Sequence, residues 1–322
     1  MSITRRTFLS SSAAVMAAGA FPLDALAGEA VTVSGGVMGT TWLAVVPPAC
    51  DAATCADIVG GVLAEADALF SPWRADSPLS RMNGAAGDML VPRPLATVVA
   101  AGLDIAARSG GAFNPAIGGI VARYGFGPIR DRGTTAWSDL AVDGLTIAKA
   151  DPAVTFDPCG IAKGHALDMA ADALAAEGYR DILIELGGEI VARGRHPQGR
   201  AWRLAVERPD PAHPGIQRVV TPADGALATS GDTVNTYTVA GRRYHHIIDP
   251  RTSEPATGLA SVSVVAATGL EADAWATALM AMGPEAGPTF AETHGLAALF
   301  VARETDGLRE VVSPAMSRHI VT

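Results

Sequence analysis

Two oxygen-bearing side chains, Asp273 and Thr277, stand four residues apart in an otherwise apolar stretch of the chain. On a helix this spacing places both side chains on one face. A carboxylate and a hydroxyl are hard oxygen ligands of the kind that Mg²⁺ takes. A buried carboxylate also needs a partner. The pair therefore predicts either a cation site or a carboxylate that accepts hydrogen bonds from backbone amides near the start of its own helix.

A second candidate is the segment 157–164, which reads Asp-Pro-Cys-Gly-Ile-Ala-Lys-Gly. A strand is expected to end here, and a helix to begin after a turn that contains Gly160. Free N–H groups at the start of the helix, together with Lys163, suit a phosphate or a phosphate-bound metal. The alternative is an ordinary tight turn capped by Asp157.

Two adjacent histidines, His245 and His246, precede an apolar pair and an Asp-Pro turn. Either imidazole could act as a general base near neutral pH. The alternative is a strand of alternating polar residues followed by a structural turn. Because consecutive strand residues point to opposite faces, a strand would direct only one of the two histidines towards a site. A fourth segment, 228–232, is a short polar turn that indicates no chemistry by itself.

Hydrophobic periodicity predicts the elements that must position these residues. Helices are expected at 57–69, 94–109, 161–177 and 271–282, and Gly283 and Pro284 should end the last of them. The strands expected between them include a hairpin of 146–148 with 153–156 and a final strand at 296–302 that closes the sheet. No internal repeat or low-complexity linker follows the N-terminal segment, so the sequence predicts one continuous α+β domain.

The chain has 322 residues, of which 49% are hydrophobic and 18% charged, and its net charge is −9. The hydrophobic content is typical of a folded globular protein. An acidic surface argues against nucleic acid or anionic lipid as a partner. We therefore expect a globular protein that does not bind nucleic acid.

The first 27 residues have the features of an export signal. Arg5 and Arg6 form a twin-arginine signature, an apolar stretch covers 13–21, and Ala-Leu-Ala at 25–27 suits a signal peptidase. The apolar stretch is too short to span a bilayer, and no later stretch qualifies. We expect residues 1–27 to be a twin-arginine signal peptide, and residues 28–322 to work in the periplasm without a transmembrane segment.

The three cysteines leave one question open. An oxidising compartment would permit a bridge between Cys50 and Cys55, and two free thiols are the alternative. No histidine lies near them, so a zinc site is not expected. Cys159 stands alone.

Together these segments resemble the ApbE family of FAD:protein FMN transferases. The resemblance runs from about residue 31 to about residue 310 and rests on motifs in the family's order: Met38-Gly39-Thr40, Ser71-Pro72-Trp73 with Ser77, 111–115, 157–164 with Asp168, Gly187-Gly188-Glu189, 229–232, 246–252, and Ala272-Asp273 with Thr277. It implies a single domain of mixed, largely antiparallel sheets packed by helices. The twin-arginine signal resembles that of the NosX-like periplasmic branch.

The resemblance also implies roles for individual residues. The predicted FAD-binding residues are Met38, Trp73, Ala112, Phe113, Asn114, Asp157, Lys163 and Ile247. The carbonyl of Gly160, with the side chains of Asp273 and Thr277, would bind Mg²⁺, and His246 would be the catalytic base. Trp73 stands where tyrosine or phenylalanine is usual, and either ring type can stack on a flavin. Three further departures are Asn114 for aspartate, and Cys159 and Ser253 for glycine.

The implied reaction is Mg²⁺-dependent cleavage of FAD, with transfer of FMN to a threonine of a target protein and release of AMP. The resemblance further implies an acceptor motif of the form Asp-Gly-x-Ser/Thr-Ser/Gly-Ala-Thr. The acceptor would be a NosR-like or other respiratory flavoprotein. Two alternatives are an FAD pyrophosphatase, in which water replaces the threonine, and a non-catalytic accessory protein that binds flavin.

Overall fold

The computed structural model describes residues 30–321. The predicted signal peptide lies outside these residues. The helices are α1 (Ala52–Phe70), α2 (Pro78–Gly84), α3 (Arg93–Arg108), α4 (Gly118–Arg123), α5 (Ala162–Ala176), α6 (Gly269–Thr293) and α7 (Pro314–Ser317). The strands are β1 (Val31–Val37), β2 (Thr40–Val46), β3 (Met89–Leu90), β4 (Leu140–Asp143), β5 (Thr146–Lys149), β6 (Ile182–Leu186), β7 (Glu189–Arg193), β8 (Leu204–Glu207), β9 (Ile216–Val220), β10 (Gly225–Gly231), β11 (Thr236–Val239), β12 (Arg242–His245), β13 (Ile248–Asp249), β14 (Glu254–Pro255), β15 (Leu259–Ala266), β16 (Ala297–Glu304) and β17 (Gly307–Val312).

A large antiparallel sheet forms the centre of the fold. Its eight strands follow the order β1-β2-β6-β7-β10-β15-β16-β17, and every neighbouring pair is antiparallel. Four small sheets lie apart from it: β3-β5-β4, β8-β9, β11-β12 and β13-β14. The predicted fold class, α+β with largely antiparallel sheets, is confirmed.

The middle of the large sheet is covered on both faces, which explains why β15 and β16 are apolar along most of their length. Val264 and Phe300 belong to the main core with the apolar side chains of α6. Their neighbours Val265 and Leu299 point to the other face and pack in a second core with residues of β8, β9 and α7. The sheet is therefore a buried layer, and the helices that carry the candidate site lie against one of its faces.

Helices α5 and α6 come into direct backbone contact. A β-carbon at Gly164 would overlap the carbonyl group of Gly269, and one at Gly269 would overlap that of Gly164. Asp168 accepts hydrogen bonds from the N–H groups of Gly269 (2.7 Å) and Leu270 (2.9 Å), so α5 caps the start of α6. In return, Asp273 Oδ2 accepts a hydrogen bond from Gly164 N at 3.1 Å. The contact fixes the two helices relative to each other.

The predicted hairpin of 146–148 with 153–156 is wrong. Strand β5 pairs with β3 and β4, and 153–156 is not a strand. The amide of Asn83 replaces a strand partner there, because its Oδ1 accepts from Phe156 N (2.7 Å) and its Nδ2 donates to Phe156 O (2.9 Å). A side chain from another part of the chain thus satisfies this extended backbone.

One other expectation is confirmed and one needs correction. The helix predicted at 271–282 does end at Gly283, because the backbone there is not helical (φ 84°, ψ −177°), and a second helical segment of α6 then runs to Thr293. Pro284 stands in the first turn of this second segment, where a missing N–H is tolerated. The strand at 296–302 does not close the sheet, because β17 pairs beyond it with β16.

Two of the three cysteines form a disulfide. Cys50 and Cys55 are paired in a disulfide at the start of α1, with Cα atoms 6.4 Å apart, whereas Cys159 is free. No helix in the described part of the chain has the length and apolar character needed to cross a bilayer.

The glycine contact predicts opposite effects for two glycine-to-alanine changes in helices. Gly164→Ala should lower the free energy of unfolding by about 1–3 kcal/mol, because its methyl group must displace the backbone at Gly269. Gly61→Ala in α1 is the matched control, since no atom beyond the local helix backbone lies within 4 Å of the place that a β-carbon would take. This change should raise the free energy of unfolding by about 0.5–1 kcal/mol. Equal effects in denaturant unfolding would contradict the contact.

Candidate active site

Asp273 lies at the contact between α5 and α6 and is 4% exposed. Its amide partner is Gly164 of α5, not an amide of its own helix, whose start is capped by Thr268 and Asp168. Burial raises the pKa of Asp273 above its usual range, the negative charge of Glu189 raises it further, and Lys163 acts in the opposite direction. One amide therefore leaves the carboxylate short of compensation for its charge.

Thr277 follows Asp273 by one helical turn and faces the turn before α5. Its Oγ1 lies 3.3 Å from Ser230 Oγ. A β-carbon at Gly160 would lie 2.9 Å from Thr277 Oγ1, so only a residue without a side chain lets the backbone pass this close. The structure thus brings Gly160 and Thr277 together on the helix face that also bears Asp273.

These three residues fit a magnesium ion by the chemistry of their donors. A carboxylate, a hydroxyl and a backbone carbonyl are all hard oxygen ligands. In residues 30–321 no three side chains of histidine, cysteine, aspartate or glutamate converge as a metal cluster. A set with one carboxylate is too small for a closed protein cage and suits an ion that shares its ligands with a phosphate group.

An ion pair stands beside this group. Lys163 Nζ, in the first turn of α5, lies 2.6 Å from Glu189 Oε2 at the start of β7. Burial alone would lower the pKa of Lys163, but the charges of Glu189 and Asp273 raise it overall. The ammonium group is therefore firmly protonated. Glu189 was not among the predicted site residues, although the Gly-Gly-Glu motif was the signal that could have identified it.

The turn before α5 is tied to the segment that follows α3. Asp157 N donates to Pro115 O (2.6 Å), and Asp157 Oδ1 accepts from Cys159 N (3.0 Å), so Asp157 does cap the turn. Burial raises the pKa of Asp157. Asn114 Oδ1 accepts from Ala116 N (2.8 Å), while its Nδ2 donates to Thr135 O (3.1 Å). Both the oxygen and the nitrogen of the Asn114 amide, which stands in place of the family's carboxylate, therefore make hydrogen bonds within the fold.

The other residues predicted to contact FAD are spread over several elements. Phe113 is buried and Ala112 half-buried in the segment after α3. Met38 is half-buried at the β1–β2 turn with φ 51°, and Ile247 is buried, its O accepting from Ala256 N at 3.0 Å. Trp73 is 64% exposed between α1 and α2, and no ring contact joins it to another aromatic side chain in the described residues. The ring of Trp73 is therefore exposed, and it does not stack on Phe113, the other aromatic residue predicted to contact FAD.

The two histidines have different surroundings. His245 is the last residue of β12; its Nε2 lies 2.7 Å from Ala256 O, and its Nδ1 accepts from Ile247 N at 3.4 Å. His246 follows the strand, and its Nδ1 is buried without a hydrogen-bond partner among the described residues. Both nitrogens of His245 are used by the fold, whereas His246 retains a free one. The alternation of side chains along a strand does not decide which histidine faces the site, because β12 ends at His245 and His246 lies beyond it.

Burial lowers the pKa of His246 to about 4, and the neighbouring His245 and the charge of Lys163 lower it as well. The effect of Lys163 shows that the imidazole lies within electrostatic range of that ammonium group. A histidine with this pKa is neutral at physiological pH and can accept a proton. Its charge state should change only as the pH falls towards 4.

The two residues that replace a family glycine differ in backbone conformation. Ser253 adopts a left-handed conformation with φ 58°, which glycine favours, so this departure places a less suitable residue in the turn. Cys159 has no such conformation, and its side chain is exposed. Neither residue is among those predicted to bind the metal ion.

This assembly of a carboxylate and a hydroxyl on one helix, a glycine turn and a lysine lies within the region recognised by a family model. The model of the ApbE family matches residues 38–300. The chain belongs to the ApbE family.

Relatives and solved structures agree with this membership. The chain is 34% identical over 304 residues to an FAD:protein FMN transferase of Vibrio cholerae, covering 88% of this chain and 91% of the relative. It is 31% identical over 326 residues to one of Escherichia coli K12, covering 94% and 92%. The structure of the flavin transferase ApbE from Vibrio cholerae superposes with a TM-score of 0.83 at 32% identity, covering 90% of this chain and 99% of the other. The apo flavinyl transferase ApbE of Pseudomonas stutzeri gives 0.81 at 33% identity, covering 90% and 96%. The predicted family, fold and enzyme class, a flavinyltransferase, are confirmed.

Proposed function

We propose that this ApbE-family flavinyltransferase is a Mg²⁺-dependent enzyme that takes FAD as substrate and transfers its FMN half to a threonine of an acceptor protein. The observation that carries the proposal is the convergence of Gly160, Asp273 and Thr277 beside Lys163, on a helix start suited to phosphate. A neutral histidine, His246, lies within electrostatic range of Lys163.

In this proposal the metal ligands, the lysine and the flavin contacts act on different parts of FAD. Asp273, Thr277 and the carbonyl of Gly160 would hold Mg²⁺, which when bound neutralises charge on the pyrophosphate of FAD. Lys163, held by Glu189, adds a positive charge for the phosphate oxygens. The predicted flavin contacts, Trp73 among them, orient the ring.

His246 supplies the proton acceptor. Its neutral imidazole takes the hydroxyl proton of the acceptor threonine, and the threonine oxygen forms a bond to the phosphorus of the FMN half. The bond between that phosphorus and the bridging oxygen breaks, and AMP leaves. The products are a protein–FMN phosphoester, AMP and one proton, so atoms and charge balance.

We further propose that the acceptor carries the motif Asp-Gly-x-Ser/Thr-Ser/Gly-Ala-Thr and is a periplasmic respiratory flavoprotein such as a NosR-like protein. The support is the acceptor motif that the family resemblance implies, together with the export signal predicted from the sequence. Water as the acceptor would make the protein an FAD pyrophosphatase, and absence of both reactions would leave a flavin-binding accessory protein.

One experiment separates these outcomes. The protein from residue 28 onward is incubated with FAD, Mg²⁺ and a soluble domain that carries the acceptor motif. A mass increase of the domain equal to FMN minus water, with one AMP released per domain, supports transfer. AMP release without a mass increase indicates the pyrophosphatase, and the same domain with its threonine changed to valine is the control.

Magnesium dependence predicts unequal effects for the two side-chain ligands. Asp273→Asn should abolish transfer, because it removes the only charge offered to the ion while keeping an acceptor for Gly164 N. Thr277→Val should weaken transfer less, since water can replace a neutral ligand. Transfer rates are measured across a Mg²⁺ titration, and the half-saturating concentration should rise in Thr277→Val. Tight Mg²⁺ binding to the flavin-free protein in calorimetry would contradict an ion shared with FAD.

The role of His246 predicts a rate effect without a binding effect. His246→Gln should slow single-turnover transfer by about 10²–10⁴-fold and leave FAD affinity nearly unchanged. His245→Gln is the matched control and should change the rate several-fold at most. Because the pKa of His246 is lowered to about 4, the wild-type rate should show no loss from protonation of this group between pH 8 and pH 5. A crippled His245→Gln with an active His246→Gln would assign the base to the other histidine.

Export is proposed from Arg5, Arg6 and the apolar stretch that follows them, all outside the described residues. The double change Arg5→Lys with Arg6→Lys should leave unprocessed precursor in the cytoplasm. Processing is followed by the mass of the protein in cell fractions. Normal processing in cells that lack the twin-arginine translocase would contradict this route.

A further inference from the structure

The hairpin β11–β12 and the residues just before it expose an unusual share of large hydrophobic side chains. Six large hydrophobic side chains are exposed in residues 30–321, and three of them, Val234 (57%), Tyr237 (37%) and Val239 (57%), fall within six consecutive residues. All four residues of β11 are exposed. Single exposed hydrophobic residues are common, but clustered ones mark interaction surfaces.

Side-chain contacts anchor the hairpin, which lies outside the large sheet. Tyr237 stacks on Tyr244 across the hairpin (ring centroids 5.2 Å apart) and on Phe126 from the loop after α4 (5.3 Å). The hydroxyl of Tyr237 donates to Tyr124 O at 3.1 Å. A surface fixed in this way loses little conformational freedom when a partner binds.

The base of the hairpin leads directly to His246. Thr236, at the start of β11, pairs with His245, the residue before His246. The carbonyl groups of Val234 and Asn235 are close enough to act on the His246 ring, and Phe126 meets that ring edge-on at 6.4 Å. The imidazole therefore lies beside the chain that leads into β11, at the Thr236 end of that strand.

The charge and the edge of the hairpin indicate what kind of segment fits. Residues 233–246 contain two arginines and no acidic residue, in a chain of net charge −9. Arg242 is paired with Glu254, and Arg243 shares the carboxylate of Asp232 with Arg303 of β16, on which Asp210 also acts. Within the described part of the chain β11 pairs with β12 alone, so its other edge keeps unpaired N–H and C=O groups.

We propose that the free edge and apolar side of β11 form the docking surface for the acceptor protein, which adds an extended, acidic segment beside β11 and so delivers its hydroxyl group to His246. Strand addition of this kind takes affinity from main-chain hydrogen bonds and specificity from side-chain contacts. The inference rests on the transferase activity proposed above.

The test compares exposed strand residues in two separate small sheets. Val239→Glu should raise the KM for the motif-carrying acceptor domain about tenfold, because it loses an apolar contact and repels an acidic segment. Val239→Lys should raise that KM by about threefold or less, since only the apolar contact is lost. Ile216→Glu in β9, where the native side chain is 51% exposed, is the matched control and should leave the KM unchanged. In all three variants kcat at saturating acceptor and FAD affinity should match the wild type.

Each other outcome is decisive. Equal KM values for Val239→Glu and Ile216→Glu would overturn the docking surface. So would a KM unchanged by Val239→Glu with a dimer converted to a monomer in light scattering, which would assign the surface to a second copy of the chain. A fall in FAD affinity together with kcat would mean that the change distorts the flavin site, and would overturn it too. Failure of the wild type to transfer FMN at all would overturn the transferase proposal and, with it, this inference.

Discussion

The contact between Gly164 and Gly269 determines where the site lies. Neither position has room for a β-carbon, so the backbones of α5 and α6 meet. That approach lets Asp168 cap α6 and lets Asp273 accept from Gly164 N. Lys163 directly precedes Gly164 in α5. Asp273 lies about one helical turn after Gly269 in α6, and Thr277 follows one turn later. The positions of the charged groups thus depend on two residues that carry no chemistry themselves.

Burial then shifts the pKa values of the acidic and basic groups of the site in opposite directions. Asp273 and Glu189 are 4% and 5% exposed, and loss of water raises the pKa of both carboxyl groups. The same cause lowers the pKa of His246. One end of the site is therefore suited to a cation and to phosphate charge, while the other presents a neutral imidazole. The first end is built on the helices and the large sheet, and the second on small sheets outside it.

Local patterns predicted most of the elements, and they failed where distant residues act. The four predicted helices are present, with ends shifted by a few residues, and an unpredicted second helical segment follows the last of them beyond Gly283. The segment 153–156 has strand-like residues, but Asn83 takes the place of a second strand. Strand β17 is only half-buried and weakly patterned, so its pairing with β16 was not evident from its own residues.

The sequence by itself determined the family, the α+β class and the spacing that puts Asp273 and Thr277 on one helix face, because these depend on residues close together in the chain. Tertiary structure decided the rest. It set Gly160 against Thr277, paired Lys163 with Glu189 across 26 positions, and left His246 rather than His245 with a free nitrogen. Each of these depends on which distant groups exclude water or supply a partner. Burial and pairing of that kind arise only when the chain has folded.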